Sequence, residues 1–125
     1  MPIGFDEIRV ENSPAGKIIT LIFRETLSKQ DYEAFVPQIT GFMKDGSTIR
    51  LLVELRQFKG WTAGALWEDT KFATRHFKDI DRLAVVGDKR WEMGVTVFVK
   101  PFTGATVRYF DEDHRHQARQ WVREI

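Results

Sequence analysis

The chain contains no cysteine, which excludes disulfides, thiolate chemistry and zinc–sulfur sites. It has no surplus of charge: 19 Lys and Arg stand against 18 Asp and Glu, a net charge of +1. A protein held to nucleic acid by phosphate contacts needs a basic excess or stripe, so nucleic acid is not an expected partner. No uncharged apolar run approaches the ~20 residues of a membrane span. Met1 to Glu7 shows neither the basic nor the apolar region of a signal peptide. The expectation is a soluble cytoplasmic protein. The phosphate and esterase signatures GxxxxGKS/T, GxGxxG and GxSxG are missing as well. No cofactor is implied.

Catalytic constellations are also absent. His76, His114 and His116 are scattered, and no nucleophile–base pair can be assembled from them. His114 and His116 are two apart, point to different faces of a helix, and read as solvated residues rather than metal ligands. Glu68 and Asp69 are adjacent, as are Asp111, Glu112 and Asp113; neighbouring helical carboxylates do not face each other, and first-turn acids serve the helix dipole. An enzyme is therefore not expected.

What remains is 125 residues, 42% hydrophobic, enough for one domain with a real core. Ile8–Glu11 and Lys17–Arg24 read as a hairpin around the turn cluster Asn12–Gly16. Ser28 and Asp31 form a capping box; Tyr32, Phe35, Val36, Ile39, Phe42 and Met43 follow on one helical face, bent by Pro37. Ile49–Leu55 is apolar on both faces, as a central strand covered on both sides should be. A short loop holding Phe58 and Trp61 then leads to a helix over Thr62–Phe77, with Leu66, Thr70, Ala73 and Phe77 inward. Trp67 and Phe72 fall off that stripe and would suit a homodimer surface. Arg82–Gly87 is a fourth strand.

Residues 89–102 alternate like a strand through Trp91, Met93, Val95, Val97 and Val99. They also repeat like a helix through Trp91, Val95, Phe98 and Phe102. Their place between two strands favours a helical crossover. Ala105–Phe110 is the fifth strand. Asp111 caps a last helix that packs through Ala118, Trp121, Val122 and Ile125. The expected fold is a single α/β domain over residues 1–125. It has an open, mostly parallel five-stranded sheet with an N-terminal β-hairpin, flanked by about four helices.

Two features bear on function. Aromatics make up 13% of the chain, with 10 Phe and 4 Trp. Phe58, Trp61, Thr62, Leu66, Trp91, Val95, Phe98 and Phe102 would line an apolar pocket at the carboxyl ends of the strands. The segment 91–102 would act as a lid hinged at Gly94 and Pro101. Such a pocket suits a hydrophobic or lipid-like ligand, with the interleaved Lys59, Lys89, Arg90 and Lys100 favouring peripheral membrane contact. The second feature is Thr62. It caps a helix; as a regulatory hydroxyl it would present a phosphate to the amides of Ala63, Gly64 and Ala65. That reading implies a protein partner.

From Leu51 onward the chain resembles the SpoIIAA-like family of small bacterial proteins, through LLVELRQFKGWTAGALWED (51–69), HFKDIDRLAVVGDKRWE (76–92) and KPFTGATVRYFD (100–111). The resemblance implies a non-catalytic fold grouped with STAS domains, the fold of anti-sigma-factor antagonists, and with CRAL-TRIO lipid-binding domains. STAS antagonists carry a phosphorylatable serine in a turn that opens the helix after a central strand. Here Thr62-Ala63-Gly64 stands at that point, with Gly60 and Trp61 where an Asp usually precedes the serine. CRAL-TRIO domains hold a hydrophobic ligand under a helical gate, the part that residues 91–102 would play.

Overall fold

The computed structural model describes residues 4–43, 48–65, 67–68, 71, 79–88 and 106–124. Strands β1 (Phe5–Ser13) and β2 (Gly16–Leu27) form an antiparallel hairpin. Both strands are longer than their apolar runs, because each extends along the other once the turn is closed. Gly16 takes φ +117° at that turn, and Ser13 Oγ donates to the Gly16 carbonyl at 2.8 Å. Strands β3 (Ile49–Trp61), β4 (Ile80–Gly87) and β5 (Thr106–Asp111) add in parallel. The sheet order is β1-β2-β3-β4-β5. The expected mostly parallel five-stranded sheet with its hairpin is observed.

Helix α1 (Lys29–Gly41) opens on the expected capping box: Ser28 Oγ accepts from the Asp31 N–H, and Asp31 accepts from the Ser28 N–H. Pro37 lies inside α1, and the helix continues past it to Gly41. Tyr32, Phe35 and Ile39 pack on Ile19, Leu21, Phe23, Leu51 and Val53, the first face of the sheet. Residues 63–65, 67–68 and 71 are helical, and Ala65 joins the same cluster. A 3-10 turn (Glu112–His114), capped by Asp111, leads into helix α2 (Arg115–Arg123). Ala118, Trp121 and Val122 cover Ile18, Leu52, Ala84, Val86 and Phe110 on the second face. Thus β3 is covered on both sides, as its run of apolar residues requires.

Two expectations about β3 need correction. It does not give way to a loop after Leu55. It runs on to Trp61, because β2 also continues and supplies a partner: Glu25 pairs with Phe58, Thr26 with Gly60 and Leu27 with Trp61. β3 carries two extra residues there, Gln57 and Lys59, opposite consecutive residues of β2, with Glu25 at φ 55°, Gln57 at φ 50° and Gly60 at φ 127°. Nor is β3 apolar on both faces. Arg50 is 7% exposed and Glu54 is 1% exposed, both on the α2 side. Arg50 donates to the Asp81 carboxylate at 3.1 Å and to the Val122 carbonyl at 3.0 Å, satisfying a C-terminal carbonyl of α2.

Candidate functional site

The carboxyl ends of β2 and β3 lie side by side, and each delivers the chain into a helix start. Leu27 and Trp61 are register partners, and the Thr62 N–H donates to the Leu27 carbonyl at 2.9 Å. Ser28 and Thr62 therefore cap neighbouring helix starts. Thr62 Oγ1 accepts from the Ala65 N–H at 3.1 Å while the residue remains exposed. The cap role is thus met with the hydroxyl still within reach of solvent.

Gly64 makes the approach of the two starts close. A Cβ there would lie 3.4 Å from Lys29 Cβ. Lys29 is exposed, at the first position of α1, where a cation meets the positive end of the helix dipole. Its carboxylate contact, Glu33, is 3.9 Å away with both side chains exposed, an arrangement of little energetic weight. Trp67 is 63% exposed and lies one turn along from exposed Ala63. The sequence reading missed Lys29. Its signal was positional: it follows the N-cap Ser28 as Ala63 follows Thr62, and parallel register sets the two side by side.

The other expected site residues divide into two groups. Phe58, expected in a loop, is a strand residue 4% exposed in the core. Trp61 is also in the strand, half-buried, with its ring edge-on to Phe58 at 4.7 Å between centroids. Leu66, Trp91, Val95, Phe98 and Phe102, with the whole lid segment, lie outside the described residues. So do Phe72 and His76. His114 and His116 are exposed. Among the described residues no three His, Cys, Asp or Glu side chains form a group suited to a metal ion. No helix among them is long and apolar enough to cross a membrane.

The strand order, parallel crossovers and terminal helix define an α/β domain of a known kind. An uncharacterized protein with a SpoIIAA-like fold from Shewanella loihica PV-4 superposes with a TM-score of 0.76 over 95% of this chain and 93% of that one, at 23% identity. The SpoIIAA-like family model matches residues 18–123. The chain belongs to the SpoIIAA-like family. A search of curated proteins returned no match. Family and fold point to a regulatory or binding domain without specifying what it binds.

Proposed function

We propose that this chain is a non-enzymatic regulatory domain that docks a protein partner on the surface from Thr62 to Trp67, and that phosphate on Thr62 switches the contact. The observation that carries this reading is exposed Thr62 at two adjacent helix starts, with the Lys29 Cβ against Gly64 in the turn that Thr62 caps. A phosphate there adds about −1.5 to −2 charges at neutral pH. The first-turn amides and the Lys29 ammonium would hold it. Trp67 supplies the apolar anchor, since a large exposed aromatic ring is a frequent centre of binding energy. Charge beside that anchor disfavours docking because the phosphate would have to lose water.

The test is a photo-crosslinking residue at exposed Lys71, one turn beyond Trp67, in the full chain, in its native cell. A discrete crosslinked protein that disappears with Thr62→Asp is the expected result. An unchanged crosslink in that variant, together with no phosphate on Thr62 in any growth state, removes the switch. The alternative occupant is a hydrophobic, lipid-like molecule near half-buried Trp61, with or without a membrane surface. A co-purifying lipid mass in native mass spectrometry, lost on Trp61→Ser, would replace the protein partner with that ligand.

A further inference from the structure

The second face of the sheet is only partly covered. A nine-residue helix is ~13 Å long and about 10 Å wide, whereas five strands span ~19 Å between outer strand axes. Helix α2 packs on β3, β4 and β5. On the β1–β2 side it leaves a groove of about 440 Å³, with Arg9, Glu11, Thr20, Glu54, Arg119 and Arg123 in its walls. That volume is typical of small-molecule sites.

The groove contains a buried carboxylate where a central strand would ordinarily carry an apolar side chain. Glu54 Oε1 lies 2.8 Å from Arg115 Nε, 3.5 Å from Arg119 Nη2 and 3.6 Å from Arg56 Nη2. None of these approaches is aligned as a hydrogen bond, and neither Glu54 oxygen receives one from the described residues. Three guanidinium groups face one carboxylate, an excess of positive charge. The other carboxylate in the groove wall is already engaged: Glu11 receives two bonds from Arg123, each 2.7 Å, and Arg9 of the wall pairs with Glu7. Among the described residues, Arg115 and Arg119 have no carboxylate but Glu54.

A cluster serving only to fasten α2 to the sheet would gain little over a leucine at position 54, because burying ions without full hydrogen bonding is costly. The groove has the chemistry of a recognition site. A simple inorganic anion would meet the Glu54 carboxylate, a cation would meet the guanidinium groups, and an apolar ligand would strand both. We infer that the groove binds a small organic anion with a hydroxyl or amine beside its acidic group. The acidic group meets the Arg119 guanidinium in the groove wall, and the hydroxyl or amine is directed at the Glu54 carboxylate, which also lines the groove. This site lies on the α2 face of the sheet and does not depend on the Thr62 reading.

The test is calorimetric titration of the full chain, at fixed ionic strength, with two matched pairs of probes. L-malate against succinate tests a carboxylate with and without a hydroxyl. Phosphoethanolamine against ethyl phosphate tests a phosphate ester with and without an amine. The expected result is that the donor-bearing member of one pair binds about tenfold more tightly, as a hydrogen bond to a charged acceptor implies. Which pair responds identifies the acidic group. Arg119→Gln, a partly exposed position that should leave the urea midpoint nearly unchanged, is expected to weaken that probe about tenfold. Glu54→Gln is expected to shrink the preference within the pair severalfold. No binding of any probe at millimolar concentration, equal binding within both pairs, or full affinity in a folded Arg119→Gln chain would each overturn the inference.

Discussion

Removing the Asp31 carboxylate should cost a large part of the stability of this fold. Asp31 is fully buried. Its Oδ1 accepts from the Gly4 and Phe5 N–H groups, both at 3.0 Å, and its Oδ2 from the Ser28 N–H at 2.7 Å and the Ser28 hydroxyl at 2.9 Å. One side chain thus caps α1 and ties the start of β1 to it. In Asp31→Ala the Gly4 donor is stranded in a buried position, at about 2 kcal/mol. The Phe5 and Ser28 amides, only part-buried, lose about 1 kcal/mol each. The better helix propensity of Ala offsets the lost dipole interaction, since both are below about 1 kcal/mol. The sum is about 4 kcal/mol, against a total of roughly 5–15 kcal/mol for a domain of this kind. Urea unfolding followed by tryptophan fluorescence would show the midpoint falling by about 2 M for a slope near 2 kcal/mol/M. Amide exchange at Gly4 and Phe5 should quicken more than at Ile39. A loss below about 1 kcal/mol would refute the argument, because the segment before β1 would then be held by something other than this carboxylate.

Gly4→Ala should also destabilise, by about 1–3 kcal/mol, because its Cβ would sit 2.4 Å from the Thr26 carbonyl oxygen, a backbone atom that cannot swing away; an unchanged urea midpoint would contradict that. Thr62→Ala should cost about 1 kcal/mol through loss of the cap to Ala65, whereas Thr62→Asp should cost almost nothing, since Asp caps as well while adding charge. Equal loss in the two variants would show that the cap is not what the hydroxyl contributes. The Arg123 hydrogen bonds hold the Glu11 carboxyl below its ordinary value, with burial opposing them in part. A lowered folded value means the pair's contribution is present above the unfolded value and lost as pH falls through the folded one. The stability gap between the native chain and Arg123→Gln, under about 1 kcal/mol for so exposed a pair, should hold at neutral pH and close in acid. A gap that widens in acid would reverse the assignment.

Much of the fold was legible in the chain because its signals are local. The capping box at Ser28 and Asp31, the helical spacing of Tyr32, Phe35 and Ile39, and the apolar runs at Ile49 and Leu83 depend on neighbours a few residues away. Those signals specified the order of strands and helices, and with it a mostly parallel sheet. The Thr62 cap was equally local. Tertiary structure decided whatever depended on a partner strand or the opposite face. β3 reached Trp61 because β2 had extended alongside it, so Phe58 became a core residue rather than a loop aromatic. Lys29 came to Gly64 through register between strands far apart in sequence. Glu54 stood in plain view within an apolar run, and Arg115, Arg119 and Arg123 repeat every fourth residue. Only the packing of α2 against β3 turned those separate charges into one buried cluster. Capping and periodicity act within a turn or two of chain; burial and electrostatics are settled by which surfaces meet.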